Sequence, residues 1–233
     1  MHVLVVTAVQ AEADAVAAGL VSAGGGTSLP GGYVLSRYGG GDGCTVTVDV
    51  LAGGVGPAAA AAATATALTA ATYDLVVSAG IGGGFAPTAP LGAIVVADAI
   101  VAADLGADTP DGYLTVDELG FGRSAHAPSP LSAPLAKALD AVHGPVLTVS
   151  TVTGTAARAA ELTARHPRAA GEAMEGFGVA EAAAAHGVPV TEIRAVSNAV
   201  GPRDRAAWRI GEALEALRNA FARLGPALEE EAR

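Results

Sequence analysis

Short apolar runs rich in valine and isoleucine alternate along this chain with longer stretches rich in alanine. The short runs predict strands at 2–8, 33–38, 45–51, 75–78, 94–102, 146–151 and 190–197. The alanine-rich stretches predict helices that begin at residue 10 and that span 58–71, 155–165, 175–186 and 203–224. This alternation is typical of an α/β fold, and we predict a central sheet covered by helices on both faces.

Three segments interrupt the alternation. A glycine-rich turn at 39–43 is predicted to join strands 33–38 and 45–51. A second glycine-rich turn is predicted at 80–84, where the backbone either packs closely or approaches a ligand. Segment 103–130 has no periodicity and mixes Gly, Asp, Pro and Ser, so we predict a long loop that is either functional or disordered.

Length and composition narrow the class of protein. A chain of 233 residues without a Pro-, Gly- or Ser-rich linker fits a single domain, 1–233. The net charge of -10 leaves no basic stripe for nucleic acid or for an anionic membrane, so neither is an expected partner. The single cysteine, Cys44, excludes an internal disulfide and a cysteine zinc cluster, and we predict that it is a small buried residue.

Targeting signals and metal-ligand patterns are weak throughout. The N-terminus lacks the basic region of a signal peptide, and no run approaches the roughly 18 apolar residues of a membrane span. The five histidines are scattered, although His126 in the long segment could line a pocket. We therefore expect a soluble cytoplasmic protein that uses no metal and no cofactor.

Residues 54–59, GVGPAA, match the G-x-G-x-x-A pattern of a dinucleotide-binding turn. Two features argue against that function. Asp74 precedes strand 75–78, whereas the acidic residue of the pattern ends the second strand. Pro57 also removes one of the N–H groups that would bind a pyrophosphate. A nicotinamide or flavin cofactor is therefore not predicted.

Polar residues at or just beyond the ends of apolar strands are candidates for chemistry. Glu12 follows the first strand, Glu175 opens the helix at 175–186, and Asn198 follows the strand at 190–197. Ligands bind at such strand ends in open α/β sheets. Each residue has a structural alternative, since an acid in a first helical turn is favoured by the helix dipole and an Asn often caps a loop.

Three segments resemble motifs of the nucleoside phosphorylase/nucleosidase superfamily. Residues 80–98, GIGGGFAPTAPLGAIVVAD, are similar to its G-x-A-G-G-x-A-P segment and the G-D-I-V-V-x-D that follows. Residues 173–176, AMEG, resemble its E-M-E-x signature, and residues 194–198, RAVSN, resemble its R-x-I-S-[DN] signature. The matches run in order along nearly the whole chain. The resemblance implies a three-layer α/β/α fold with a mixed, partly closed sheet.

The same resemblance implies roles in a nucleoside-binding site. Glu175 would hold the ribose hydroxyls, Glu12 would activate the attacking water, and Asn198 would engage N7 of the purine. Trp208 stands where nucleosidases place an aromatic wall, although it could equally anchor the last helix. Further substrate contacts are expected from Gly82, Gly83, Met174, Phe177 and Ser197.

The chain departs from the phosphorylases of the superfamily, which bind phosphate with Arg side chains and with a Ser in the glycine-rich turn. Here Ser78 stands where Arg is usual, and Ile81 stands where that Ser is usual. No Arg lies between Arg37 and Arg123. Because a phosphate dianion needs charge-assisted donors, water is the predicted nucleophile.

Asn198 also bears on the base, because adenosine-type nucleosidases of the superfamily have Asp there. An amide NH₂ offers donors to N7 and O6 together, which suits a 6-oxopurine such as hypoxanthine or guanine. Together these features resemble the futalosine hydrolases. That resemblance implies hydrolysis of futalosine to hypoxanthine and dehypoxanthine futalosine in menaquinone biosynthesis. Trp208, Phe121 and Arg123 are candidates to receive the carboxyphenyl group of that substrate.

Other interpretations stay open. The alternatives are a methylthioadenosine/S-adenosylhomocysteine nucleosidase, a purine nucleoside phosphorylase, and a nucleoside-binding protein without activity. The resemblance further implies a homo-oligomer, a dimer or an assembly of dimers, in which segment 103–130 closes the site of a neighbouring subunit.

Overall fold

Continuous apolar runs form the central strands of a mixed sheet. The computed structural model describes residues 1–20, 23–39 and 45–231. Five of the six residues of β1 (His2–Thr7) are buried, which is typical of a strand covered on both faces. Cys44 and most of the predicted turn at 39–43 lie outside the described residues.

The remaining elements follow in the alternating order that the sequence predicts. The other strands are β2 (Ala23–Ser28), β3 (Val34–Gly39), β4 (Thr47–Ala52), β5 (Leu75–Gly84), β6 (Ile94–Ala102), β7 (Gly106–Thr109), β8 (Gly112–Thr115), β9 (Ala125–His126), β10 (Val142–Thr148), β11 (Gly171–Ala173) and β12 (Val190–Ala199). The helices are α1 (Gln10–Gly19), α2 (Pro57–Ala70), α3 (Ser132–Leu139), α4 (Ala156–Arg165), α5 (Gly176–Ala185) and α6 (Ile210–Glu231).

Within the described residues, ten strands form one sheet in the order β11-β10-β6-β12-β5-β1-β4-β3-β2, with β9 beside β6. β5 pairs in parallel with β1 and β12, whereas β12 and β6 are antiparallel. β11 also pairs with β5, with Glu172 opposite Gly83. This pairing closes β11, β10, β6, β12 and β5 into a ring, and the predicted mixed, partly closed sheet is confirmed.

Helices cover both faces of the sheet, as predicted. One apolar core lies under α2 and α5 and includes Ala63 and Val179. The other lies under α1, α3 and α6 and includes Val16, Leu135 and Phe221. The many alanines allow the helices to pack closely on the strands. No helix in the described part of the chain is long and apolar enough to span a membrane.

Several local predictions are wrong. Residues 80–84 are not a turn but the second half of β5, because β12 and β11 pair with their backbone on either side. Segment 103–130 is not structureless, since it contains the β7–β8 hairpin and β9. Asn198 lies within β12 instead of following it. The last helix begins at Ile210, later than predicted, after a short 3-10 turn at Arg205–Ala207.

Candidate active site

A cavity opens at the carboxyl ends of the parallel strands β1, β5 and β12, beside β11 and the start of α5. In α/β sheets this edge is where ligands bind. The cavity brings together eight of the nine side chains or glycines expected to touch the substrate: Glu12, Gly82, Gly83, Met174, Glu175, Ser197, Asn198 and Trp208. Phe177 lies instead in the core beneath α5, where its ring contacts His126 at 5.1 Å between centroids.

Backbone N–H groups hold the Glu12 carboxylate in one orientation. Glu12 lies in the first turn of α1 and is buried, and its Oε2 accepts hydrogen bonds from the N–H groups of Ala8 (3.0 Å) and Val9 (3.2 Å). Its Oε1 accepts a hydrogen bond from the N–H of Ile81 at 2.9 Å. These three hydrogen bonds occupy three of the roughly four lone-pair sites of a carboxylate. One site is left, so Glu12 can still accept a proton from a water molecule.

Glu175 stands directly before α5 and is also buried. Its Oε1 accepts a hydrogen bond from the N–H of Gly56 at 3.2 Å, and its Oε2 lies 3.2 Å from Nη1 of Arg194. Gly56, with a φ of 91°, belongs to the segment that matches the dinucleotide pattern. That glycine-rich turn therefore orients a cavity carboxylate.

Arg194 is a buried cation beneath the cavity for which the sequence suggested no role of its own. Its Nε lies 2.9 Å from Oε1 of Glu192, and its Nη2 donates a hydrogen bond to Oγ of Ser78 at 2.9 Å. Burial alone would lower the pKa of Arg194, but the charges of Glu192, Glu175 and Glu12 raise it. Burial raises the pKa of Glu192, and the Arg194 guanidinium offsets this only in part. Arg194 thus neutralises a cluster of carboxylates.

Gly80 permits this cluster to form. A Cβ atom at Gly80 would lie 2.6 Å from Oε1 of Glu12 and 2.8 Å from Nη1 of Arg194. Such distances are shorter than van der Waals contact, so a side chain at this position would push Glu12 and Arg194 apart. The glycine-rich half of β5 therefore allows Glu12 and Arg194 to lie close to the strand and to each other.

Ser197 fixes the orientation of the Asn198 amide. The Ser197 hydroxyl donates a hydrogen bond to Oδ1 of Asn198 at 2.9 Å, and Nδ2 of Asn198 donates to the carbonyl of Ala199 at 3.1 Å. An amide nitrogen carries two hydrogens, so one donor of Asn198 stays available to a ligand.

Three further polar residues line the cavity and were missed: Glu172, Thr153 and Arg203. Glu172 on β11 is buried, and its carboxylate accepts hydrogen bonds from the backbone N–H (2.9 Å) and the hydroxyl (2.5 Å) of Thr153. Burial raises the pKa of Glu172, although the two hydrogen bonds from Thr153 act in the opposite direction. A lone acid in a short strand carries no motif, which is why the sequence did not single it out.

An aromatic residue and a cation lie together on the cavity wall. The guanidinium carbon of Arg203 lies 5.4 Å from the centre of the Trp208 ring, and both residues line the cavity. Of the candidates for the carboxyphenyl group, Phe121 is 81% exposed and Arg123 lies 3.5 Å from Glu181. Neither lines this cavity in the described part of the chain. The cation that lies beside Trp208 on the cavity wall is therefore Arg203 and not Arg123.

Arg194 offers little to a phosphate dianion, and the other cation of the cavity, Arg203, lies beside Trp208. The guanidinium of Arg194 already contacts Glu175, Glu192 and Ser78, and the Ser78 hydroxyl is buried against it. His126 lies elsewhere, with its Nε2 at 2.9 Å from Oε1 of Glu181. Within residues 1–20, 23–39 and 45–231, no group of three or more acidic, His or Cys side chains could hold a metal ion.

A mixed, partly closed sheet with two buried glutamates and an amide at its strand ends defines a nucleoside-processing class of protein. A family model described as the phosphorylase superfamily matches residues 2–229, so the chain belongs to that superfamily.

Comparison with individual proteins is more specific. The chain is 64% identical over 235 residues to a futalosine hydrolase from Streptomyces coelicolor, covering 98% of this chain and 97% of that protein. It is 51% identical over 230 residues to a futalosine hydrolase from Acidothermus cellulolyticus, covering 96% and 90%. The resemblance to the futalosine hydrolases that the motifs indicated is confirmed.

Solved structures support the fold. A methylthioadenosine/S-adenosylhomocysteine nucleosidase from Colwellia psychrerythraea, in complex with adenine, aligns with a TM-score of 0.80 and 25% identity over 99% of this chain and 95% of that chain. An S-adenosylhomocysteine nucleosidase from Streptococcus pyogenes aligns with a TM-score of 0.83 and 19% identity over 99% and 97%.

Proposed function

We propose that this protein is an N-glycosidase that hydrolyses futalosine to hypoxanthine and dehypoxanthine futalosine and does not use phosphate. The observation that carries the proposal is the 64% identity to a futalosine hydrolase along nearly the full length of both chains. The positions of Glu12, Glu175 and Asn198 around one cavity support it. A role in menaquinone biosynthesis follows from that substrate, and the cytoplasmic location stays a prediction.

The first step is cleavage of the bond between C1′ of the ribose and N9 of the base. The bonding electrons leave with the purine, and positive charge grows on the ribose. The Glu175 carboxylate, oriented by Gly56 and Arg194, accepts hydrogen bonds from the ribose hydroxyls and stabilises this charge. Asn198 donates a hydrogen bond to the departing base, which takes its proton from solvent because an amide supplies none.

The second step is attack of water on C1′. Glu12 accepts a proton from that water, and a hydroxyl forms at C1′. The three backbone N–H groups on Glu12 keep its carboxylate in place during the transfer. A base positioned in this way typically contributes about 10²–10⁴-fold to the rate.

Base release tests the proposal. The purified protein is incubated with futalosine, inosine and methylthioadenosine, each with and without phosphate, and the released base is identified by chromatography. We expect hypoxanthine from futalosine at a rate that phosphate does not change. Release that requires phosphate would indicate a phosphorylase, adenine from methylthioadenosine would indicate the other nucleosidase, and binding without release would indicate a binding protein.

We also propose that the protein is a homodimer or an assembly of dimers in which segment 103–130 lies at the interface. Three large apolar side chains of this segment are exposed: Leu105 at 43%, Leu114 at 37% and Phe121 at 81%. Exposed apolar groups concentrated in one segment favour burial against a partner. A second copy of this chain is the partner that the superfamily resemblance implies.

Light scattering on a sizing column tests this assembly. We expect a dimer for the wild-type protein and a weaker dimer for Phe121→Ser. Val34→Ser is the matched control, because Val34 is an exposed apolar residue at 52% in β3, outside the segment. A fully active wild-type monomer would overturn the proposal.

A further inference from the structure

Glu172 is a buried carboxylate that lines the cavity and that the mechanism above does not use. It lies in β11 and is 5% exposed. Its two oxygens each accept one hydrogen bond from Thr153, one from the backbone and one from the hydroxyl. Each oxygen keeps a lone pair, so Glu172 can accept another hydrogen bond from a ligand in the cavity.

The sheet register places Glu172 and Asn198 on either side of one glycine. Gly83 pairs with Glu172 of β11 and with Asn198 of β12. Residues paired in register point to the same face of a sheet. The Cα atoms of Glu172 and Asn198 are about 10 Å apart, because two strand spacings separate them. A Cβ at Gly83 would lie 2.8 Å from Cγ2 of Val200 and 3.3 Å from Nδ2 of Asn198, so only a glycine lets the amide come this close to the strand. Glu172 and Asn198 both line the cavity.

The edge of a 6-oxopurine matches this pair of groups. N7 and O6 are acceptors, and N1 carries a hydrogen. Asn198 has one amide hydrogen left for a ligand and can donate it to the N7 and O6 edge, which leaves the N1–H group in need of an acceptor. Adenine presents an unprotonated N1 at the same position, and its lone pair would face a carboxylate oxygen.

We propose that Glu172 is the specificity-determining residue that accepts the N1–H of a 6-oxopurine, and that Thr153 is its positioning residue. The proposal rests on the proposed function, and it adds a second base contact to that of Asn198. Glu172 favours hypoxanthine over adenine because adenine has no N1–H group, so the buried carboxylate would lose that hydrogen bond. Thr153 orients that carboxylate through its N–H and hydroxyl groups.

Selectivity of the Glu172→Gln variant tests the proposal. The amide keeps the volume of the side chain but replaces one acceptor oxygen by a donor that suits N1 of adenine. We expect kcat/KM on hypoxanthine nucleosides, and affinity for free hypoxanthine, to fall about 10- to 100-fold because a hydrogen bond to a charged group is lost. Affinity for free adenine should stay unchanged or rise.

Glu215→Gln is the matched control. Glu215 in α6 also accepts a hydrogen bond, from Arg218 at 2.5 Å, but it is exposed and outside both the cavity and segment 103–130. This variant should keep the selectivity of the wild-type protein. Equal losses on hypoxanthine and adenine in Glu172→Gln, or no loss on either, would overturn the proposal.

Two further measurements apply if Glu172→Gln does not fold. Thr153→Val removes the hydroxyl that holds Glu172 and should lower the preference for hypoxanthine over adenine, whereas Thr153→Ser should restore it. In the wild-type protein, 1-methylhypoxanthine lacks the N1–H and should bind more weakly than hypoxanthine. If the wild-type protein releases no hypoxanthine, the proposed function fails. If the wild-type protein releases hypoxanthine and the variants keep its selectivity, the inference about Glu172 alone fails.

Discussion

Buried carboxylates in this cavity are each held by specific donors. Glu12 is held by three backbone N–H groups, Glu175 by Gly56 and Arg194, and Glu172 by Thr153. Removing these carboxylates from water is costly unless hydrogen bonds or a counter-charge offset the burial. At the scale of the residue, the orientation of these carboxylates is therefore already set before a ligand binds.

Glu12→Gln tests the role of the carboxylate as the base. We expect turnover to fall by about 10²–10⁴-fold, because an amide cannot accept the proton of water. In this variant, one of the backbone N–H groups that bind Glu12 would face the NH₂ group of the new glutamine, which costs about 1–3 kcal/mol of stability. Steady-state kinetics and a thermal melt measure both effects.

The control is Asp14→Asn on the same helix, where the carboxylate accepts a hydrogen bond from Gln10 at 2.8 Å and is outside the cavity. This variant should retain wild-type turnover. Near-normal activity of a folded Glu12→Gln protein would remove Glu12 from the mechanism.

Asn198→Asp tests how the base is recognised. The Ser197 hydroxyl can still donate to the new side chain, but an ionised carboxylate opposes the acceptor O6 of hypoxanthine, whereas it can accept a hydrogen bond from the 6-amino group of adenine. We expect kcat/KM on hypoxanthine nucleosides to fall by about tenfold or more relative to adenine nucleosides. An equal loss on both substrates, measured in the same assay, would contradict this account of Asn198.

At the scale of the element, glycines let charged groups and helices approach the sheet. A Cβ at Gly178 in α5 would lie 2.0 Å from the carbonyl oxygen of Pro57 at the start of α2. Pro57 directly follows Gly56, whose N–H binds Glu175. The packing of these two helices is therefore linked to the orientation of a cavity carboxylate.

Gly178→Ala should move the start of α2. We expect a loss of about 1–3 kcal/mol in the free energy of unfolding, as for other overpacked positions, and lower activity because the Gly56 to Glu175 hydrogen bond is disturbed. Gly211→Ala in α6 is the control, since no atom lies within 4 Å of its added Cβ. That change should stabilise the helix by about 0.5–1 kcal/mol. Urea unfolding of both variants measures the two effects, and a stable, fully active Gly178→Ala protein would refute the link.

At the scale of the whole molecule, a buried ionic network links the neighbouring strands β1, β4 and β3 of the sheet. Asp49 in β4 accepts hydrogen bonds from Arg37 of β3 at 2.8 and 2.9 Å and from the Tyr73 hydroxyl at 2.8 Å, and it lies 3.0 Å from Nε2 of His2 in β1. Burial alone would raise the pKa of Asp49, but the hydrogen bonds from Arg37 and Tyr73 and the charge of His2 hold it below its usual range.

This network predicts how global stability depends on pH. Because the pKa of Asp49 is lower in the folded protein, its stabilising effect is present above the unfolded value of about 3.9 and is lost as pH falls through the folded value. We expect Asp49→Asn to cost about 1–3 kcal/mol at pH 7, and the difference from wild type to shrink below about pH 4. Urea unfolding across this range, with the exposed Asp111→Asn as control, checks the prediction. A difference that stays constant with pH would contradict it.

Much of the fold could be predicted from the sequence, because strand and helix periodicity are local properties. β6 was predicted at its observed limits, and α2 within one residue at each end. β11 and α3 were missed since they are short. The glycines of 80–84 carry no strand propensity, and they form a strand only because β11 and β12 supply hydrogen-bond partners on both sides.

The sequence by itself determined the class of the protein and three candidate residues of its site, because Glu175 and Asn198 stand in recognisable motifs and Glu12 follows the first strand. Only the tertiary structure decided what surrounds them. Ring closure between β5 and β11 places Glu172 across Gly83 from Asn198, and burial brings Arg194 under the carboxylates. These contacts join residues far apart in the chain, so they depend on register and packing, which local sequence patterns do not encode.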